Sequence, residues 1–138
     1  MVKVKICGLM HPEDILAINA AQADFAGFVF APGRHHVTLE QALALRKLLH
    51  PDIQPVGVFV HESVDDILAI YQAGAIEIAQ LHRTSTPAEI KQLQHAGLQV
   101  IQVFERQAID LTSPADYLMV DSGKGCLLYT SPSPRDRG

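Results

Sequence analysis

Short runs of apolar residues recur along the chain, separated by longer segments in which apolar and polar positions alternate with a helical period. The runs are rich in β-branched and aromatic residues, and they are apolar on both faces. This composition is typical of parallel strands that helices cover. The pattern predicts six strands, at 2–6, 26–30, 56–60, 75–79, 98–104 and 117–120.

Helix start and stop signals lie between the predicted strands. Segments 38–41 and 86–89 each begin with Thr and end with Gln or Glu, the spacing of a capping box that satisfies free backbone N–H groups. Ser63 is in position to cap a third helix. Gly74 and Gly97 follow periodic apolar segments, where a helix often ends on a left-handed residue. We therefore predict crossover helices between the strands.

The alternation of strands and helices repeats at roughly 25 residues and allows two architectures. One is a doubly wound open sheet, complete as it stands, such as a flavodoxin-like binding module without catalysis. The other is a truncated (βα)8 TIM barrel with about five βα units plus the sixth strand. Segment 106–116 contains Thr-Ser-Pro and leaves room for only a short fifth helix.

Polar residues follow the predicted strands, and the carboxyl ends of parallel strands meet at one rim. A thiol ends the first strand at Cys7, and a carboxylate ends the sixth at Asp121. The two form a candidate acid/base pair, because a barrel would bring strands one and six to a common mouth. Alternatively, such a cysteine packs as a small apolar residue, and such an aspartate caps the next helix. The rim positions are Cys7, Arg34, His35, His36, His61, His82, Glu105 and Asp121.

Composition narrows the function classes. A formal net charge of −4 over 138 residues argues against a nucleic acid or an anionic membrane as partner. The seven histidines are scattered, without the spacing of a metal site. Two cysteines do not make a disulfide framework, and no apolar run approaches the roughly 18 residues of a membrane span. No secretory leader precedes the first strand, so we expect a cytoplasmic location.

The segment 126–138 departs from everything before it. It has no βα periodicity, and its Ser-Pro-Ser-Pro stretch cannot continue a helix or a central strand. We expect residues 1–125 to form a partial barrel, and residues 126–138 to be a disordered tail that is foreign to it. A natural disordered terminus is the alternative.

Several motifs occur in an order and spacing that resemble phosphoribosylanthranilate isomerase. They are V-K-I-C-G at 4–8, G-F-V-F at 27–30, G-V-F-V at 57–60, Q-L-H at 80–82 and D-S-G at 121–123. The resemblance covers residues 1–125, about three fifths of a family member, and it implies the (βα)8 barrel.

The resemblance also implies a reaction. The family performs an Amadori rearrangement of N-(5-phosphoribosyl)anthranilate to 1-(2-carboxyphenylamino)-1-deoxyribulose 5-phosphate in tryptophan biosynthesis, without a cofactor. By the resemblance, Asp121 is the acid that protonates the furanose oxygen, and Cys7 is the base that removes the C2′ proton. The acid needs a raised carboxyl pKa, and the base needs a thiol activated by a positive neighbour.

The substrate-binding residues follow from the same motifs. The family usually has Arg in the loop after strand two, where it binds the anthranilate carboxylate; here His35 occupies that position and Arg34 precedes it, so either could serve. Gln80 and His82 match the fourth-strand motif, in which Arg83 replaces the usual Gly. Gly123 begins a glycine-rich loop that could face the substrate.

The expected binding partners and the expected activity both depend on the truncation of the barrel. The expected partner is a small phosphoribosyl compound, with no metal, and the open sheet edges invite association between copies. The phosphate grip of such barrels lies beyond strand six, so we expect the 138-residue chain to be inactive. Another phosphosugar barrel enzyme is a third reading, although that class typically requires a Lys or paired carboxylates at strand ends.

Overall fold

A computed structural model describes residues 5–82, 86–105, 112–121 and 126–130. Strands and helices alternate along most of this length. The elements are β1 (Lys5–Cys7), α1 (Pro12–Ala21), β2 (Phe25–Val29), α2 (Leu39–Leu48), β3 (Gln54–Phe59), α3 (Val64–Gln72), β4 (Ile78–Leu81), α4 (Pro87–His95), β5 (Gln99–Glu105), β6 (Tyr117–Asp121) and β7 (Cys126–Thr130).

The strands form one sheet in chain order, from β1 to β7. Each of the first five strands pairs in parallel with its successor, so β1 to β6 are parallel. A flavodoxin-like sheet has the order 2-1-3-4-5, with a reversal at its switch point. The sequential order of the described strands is that of a barrel wall instead, so the doubly wound alternative is wrong.

The predicted helix caps are confirmed. Thr38 and Thr86 each accept a hydrogen bond from the backbone N–H three residues on, and their boxes are closed by Gln41 and Glu89. Ser63 caps α3 by accepting from the N–H of Asp66 at 3.1 Å. These caps fix where each helix leaves the rim, because they satisfy N–H groups that the helix itself cannot.

Two apolar clusters fill the two sides of the sheet. The larger lies between the sheet and the helices, and Phe28, Phe59 and Leu81 are fully buried in it. The rings of Phe30 and Phe59 stack there with centroids 5.5 Å apart. The smaller cluster lines the concave inner side, where strand alternation places every second residue. Its members are Phe25, Val56, Ile78, Ile101, Val103 and Met119, with Tyr117 packed against them.

The fourth strand lies later than predicted. Residues 75–79 were expected as strand, but β4 spans Ile78–Leu81. Ala75 and Ile76 are buried in the connection that precedes the strand, so their apolar character reflects packing in a loop. The short fifth helix expected in 106–116 falls largely outside the described residues.

The segment expected to be disordered is in part a strand. Cys126–Thr130 forms β7, which pairs antiparallel with β6. Only four residues separate β6 from β7, and a parallel partner would need a crossover of about a dozen. The exposed edge of β6 offers the hydrogen-bonding groups that this pairing uses. Residues 131–138 lie outside the described residues.

Candidate active site

The carboxyl ends of the parallel strands form one rim, which carries the candidate acid and base. Cys7 is the last residue of β1 and pairs in register with Gly27. Asp121 is the last residue of β6 and pairs with Glu105. For these two residues the structure describes the position in the strand. Both are at the carboxyl ends of strands, where the active sites of (βα)8 barrels lie.

The loop between β2 and α2 is fastened to the rim by His36. Its Nδ1 atom donates to the carbonyl oxygen of Phe30 at 3.0 Å and lies 3.3 Å from that of Ala31. The backbone adds a bond from the N–H of Val37 to the carbonyl of Val29 at 2.9 Å. This side-chain anchor was not identified from the sequence, where His36 was only one of several rim histidines. The loop that carries Arg34 is thus held at both ends.

His35 packs against the residue that follows Cys7. A Cβ atom placed on Gly8 would lie 3.3 Å from both Cγ and Nδ1 of the His35 ring. Gly8 has a φ of +81°, a left-handed conformation that glycine adopts without strain. The loop after β2 therefore reaches over the end of β1. Arg34, in the same loop, is exposed.

Asp14 holds the turn that leads away from Cys7. Its carboxylate accepts hydrogen bonds from the backbone N–H groups of Met10 and His11, both at 3.0 Å. These two bonds, with a further contribution from the charge of His11, hold the pKa of Asp14 below its ordinary value. Sequence analysis missed this residue, although its place in the first turn of α1, three residues after His11, is a capping-box signal.

The lowered pKa of Asp14 predicts a pH-dependent contribution to stability. A group with a depressed folded-state pKa stabilises the fold above its unfolded pKa, and the contribution is lost as the pH falls through the folded value. We expect Asp14→Asn to lower the free energy of unfolding at pH 7, by a small amount because the side chain is largely solvated. The difference from the parent chain should shrink at pH values below about 4. Urea unfolding at both pH values measures it, and an equal difference at both would contradict the assignment.

Gln80 is a buried polar residue of the inner side. It lies in β4, only 3% of it is exposed, and it pairs in register with Val58 and Ile101. Its Oε1 atom has no hydrogen-bond partner among the residues that the structure describes. Buried polar atoms are nearly always satisfied, so an exception is a candidate contact for a ligand.

The structure gives less detail on the other predicted binding residues. His82 directly follows β4, is exposed, and donates its backbone N–H to the carbonyl of Phe59 at 2.8 Å. Arg83 and Gly123 lie outside the described residues. The structure thus brings His35 to the end of β1 and Gln80 to the inner side, while Arg34, His35 and His82 are all exposed.

A second concave region lies at the opposite end of the sheet. A cleft of about 570 Å³ opens beside the amino-terminal ends of β3, β4 and β5. Arg46 bridges part of it, pairing with Glu77 at 3.2 Å and donating to the carbonyl of Gly74. None of the predicted site residues lines this cleft. The cleft lies at the amino-terminal end of the strands, where the residues of a (βα)8 barrel contribute to stability rather than to catalysis.

The described parts of the chain contain neither a metal-binding group of side chains nor a helix that could span a membrane. No group of His, Cys, Asp and Glu there could hold a metal ion. The helices that the structure describes are too short or too polar to cross a bilayer.

Comparison with known proteins relates this rim to one enzyme family. Residues 4–128 match the family described as N-(5′-phosphoribosyl)anthranilate isomerase. A curated relative of that name from Lacticaseibacillus casei (strain BL23) is 79% identical over 125 residues, which is 91% of this chain and 63% of the relative. The chain therefore spans less than two thirds of that relative's length.

Solved structures give the same relation. A phosphoribosyl anthranilate isomerase from Thermus thermophilus superimposes with a TM-score of 0.81 at 31% identity, over 88% of this chain and 62% of that one. Another enzyme of this name was solved in complex with reduced 1-(o-carboxyphenylamino)-1-deoxyribulose 5-phosphate. It superimposes with a TM-score of 0.71 at 32% identity, over 76% of this chain and 54% of that one. The sequential parallel strands β1 to β6 agree with the barrel fold of these structures, and the family match over residues 4–128 shows that the chain belongs to the phosphoribosylanthranilate isomerase family of (βα)8 barrels.

Proposed function

We propose that the protein to which residues 1–125 belong catalyses the Amadori rearrangement of N-(5-phosphoribosyl)anthranilate in tryptophan biosynthesis. The observation that carries the proposal is the family match over 4–128, which includes a thiol and a carboxylate at the carboxyl ends of β1 and β6. The complex of a relative with a reduced carboxyphenylamino-deoxyribulose phosphate supports the substrate class. The reaction needs no cofactor, and we place it in the cytoplasm.

The mechanism assigns one proton transfer to each strand end. Asp121 donates a proton to the furanose ring oxygen, so that the C1′–O bond breaks and the ring opens to a Schiff base. Cys7, as a thiolate, removes the proton from C2′ and gives an enolamine, which becomes the ketone. Position 121 lies two residues after Met119, which belongs to the inner cluster. Position 7 pairs with Gly27, which lies two residues after Phe25 of the same cluster. Strand alternation thus favours the inner side for both positions.

Substrate binding is assigned to the polar groups around this pair. Arg34 and His35 are the candidates for the anthranilate carboxylate, since both are carried by the loop that His36 fastens to the rim. The Oε1 atom of Gln80, which has no partner within the described ranges, is suited to accept a hydrogen bond from a substrate hydroxyl or amine. His82 and Gly123 complete the set by the family motif.

A chimera tests the function. Residues 1–125 joined to the part of the Lacticaseibacillus casei relative that this chain does not cover should convert phosphoribosylanthranilate, formed from anthranilate and a phosphoribosyl donor in a coupled assay. The relative itself is the positive control. A folded chimera without turnover would overturn the proposed function.

The role of Gln80 predicts opposite effects on stability and binding. In the 138-residue chain, Gln80→Leu should raise the free energy of unfolding by about 1 kcal/mol, because it removes a buried acceptor for which the described part of the chain supplies no partner. In the chimera the same change should raise KM. Gln102→Leu is the matched control: Ser113 donates to the Gln102 side chain, so its loss should destabilise the chain. A loss of stability in Gln80→Leu would show that this amide is satisfied within the fold.

We also propose that residues 126–138 are not part of the barrel and that the 138-residue chain has no isomerase activity. The antiparallel pairing of β7 supports this, because all strands of a (βα)8 barrel are parallel. Turnover by the purified chain would contradict the proposal.

Association between copies is proposed at the β1 end of the sheet. Ile6 of β1 is 37% exposed and Leu16 of α1 is 61% exposed. Both are large apolar side chains near a strand that, among the described strands, pairs on one side only. Sedimentation of the chain over a range of concentrations tests this, and a monomer throughout would refute it.

A further inference from the structure

The loop between β2 and α2 folds back on its own strand. Val29, the last residue of β2, forms an isolated parallel bridge with His36. The carbonyl of Val29 accepts a hydrogen bond from the N–H of Val37 at 2.9 Å, and the N–H of His36 donates to the carbonyl of Gly33 at 3.3 Å. The backbone over residues 30–36 is therefore closed at its base by strand-like bonds.

The imidazole of His36 closes the same loop a second time. Its Nδ1 atom lies 3.0 Å from the carbonyl oxygen of Phe30 and 3.3 Å from that of Ala31. A carbonyl oxygen can only accept a hydrogen bond, so Nδ1 carries the proton and donates. Because Phe30 and Ala31 are the first two residues after β2, the ring joins the far end of the loop to its beginning.

The closed loop rests on the end of β1. The Cβ position of Gly8 lies 3.3 Å from the Cγ and Nδ1 atoms of His35. The N–H groups of Gly8 and Leu9 both bond to the carbonyl of Gly27 in β2, at 3.1 and 3.3 Å. The turn beneath the loop is thus itself tied to β2. All of these contacts lie within the chain, so they can form before a substrate arrives.

We propose that His36 is a positioning residue that holds this loop closed in the free protein, so that a substrate meets a preformed loop. The inference rests on the proposed function, which places substrate contacts on the loop. A loop that is closed for only a fraction of the time binds its ligand more weakly by that fraction. Once the substrate is bound the loop is closed in either case. Loss of the anchor should therefore appear in KM and leave kcat unchanged.

Limited proteolysis tests the closed loop in the full 138-residue chain. Arg34 lies exposed in the loop, and trypsin cleaves after it only when the local backbone opens. We expect His36→Ala to raise this cleavage rate roughly tenfold, the effect that one lost hydrogen bond has on an opening equilibrium. Each rate is divided by that of a peptide of residues 30–40 with the same substitution, which removes the effect of the substitution on trypsin itself. Cleavage after Arg46, within α2, reports global unfolding and should not change.

Two replacements of similar shape separate the hydrogen bond from packing. The amide nitrogen of Asn is the same number of bonds from Cα as Nδ1 of His, and Leu has the shape of Asn without the donor. His36→Asn should keep the slow cleavage of the parent chain, and His36→Leu should be cleaved as fast as His36→Ala. His95 is exposed at the end of α4, and His95→Ala should match the parent. Equal rates for the parent and His36→Ala, or fast cleavage of His36→Asn, would overturn the inference.

The chimera tests the effect of the anchor on substrate binding. In it, His36→Ala should raise KM roughly twofold or more without a change in kcat, and His36→Asn should restore KM. Faster trypsin cleavage with an unchanged KM would overturn the positioning role. A parent chimera without turnover would instead remove the proposed function, and the trypsin rates of the 138-residue chain would still decide whether His36 closes the loop.

Discussion

Replacement of Asp121 by Asn in the chimera is expected to lower kcat by a factor of roughly 10² to 10⁴, the usual contribution of a general acid. The carboxamide has nearly the same shape as the carboxyl group but cannot deliver a proton to the furanose oxygen. Asp121 ends β6 on the rim that also carries Cys7, and it pairs in register with Glu105. The loss should therefore fall on kcat, with KM changed little.

The control for Asp121 is an aspartate far from the rim. The Asp52 side chain is 90% exposed and lies in the connection before β3. Asp52→Asn should retain the activity of the chimera. If Asp121→Asn retained more than about a tenth of the parent kcat, a different group would have to be the acid.

Asp116→Ala should lower the free energy of unfolding by roughly 3 kcal/mol, because it removes the acceptor of buried donors. The carboxylate of Asp116 is almost fully buried and accepts from the backbone N–H of Val100 at 2.8 Å. It also accepts from the side-chain amide of Gln94 at 3.1 Å. One residue thus ties the start of β6 to β5 and α4.

Urea unfolding of the 138-residue chain measures the effect of Asp116→Ala. The midpoint should fall while the slope stays constant, which indicates a change in stability rather than in the surface exposed on unfolding. Asp52→Ala removes an exposed carboxylate and should change stability by less than about 0.5 kcal/mol. A similar small change for Asp116→Ala would mean that water or a neighbouring group replaces the lost acceptor.

Most of the fold could be predicted because its determinants are local. Thr38, Ser63 and Thr86 cap helices through bonds that span three residues. Gly74 and Gly97 adopt the positive φ values that their positions after helices require. The start of β4 was misplaced because Ala75 and Ile76 are buried without strand pairing, which an apolar pattern cannot distinguish from a strand. β7 was missed because its pairing depends on the open edge of β6.

The candidate site was less accessible to sequence reasoning, since its contacts join distant segments. The chain pattern places Cys7 and Asp121 at strand ends, and the described strands confirm both positions. Their roles stay predictions. The packing of His35 on Gly8 joins two loops, and the Gln80 oxygen lacks a partner in the described strands because none of the neighbouring strands supplies a donor there. Neither has a local signature.

The sequential strand order bears on how the molecule acquires its structure. Each strand pairs with the one just before it in the chain, and paired residues of the parallel strands lie 16 to 29 positions apart, as in Ile101↔Tyr117 and Phe25↔Gln54. Each such pairing costs the chain entropy of closing one crossover, which is less than pairing strands from distant parts of the chain would cost. The sheet can therefore assemble progressively from its amino-terminal side during synthesis, each new strand adding to a template already in place.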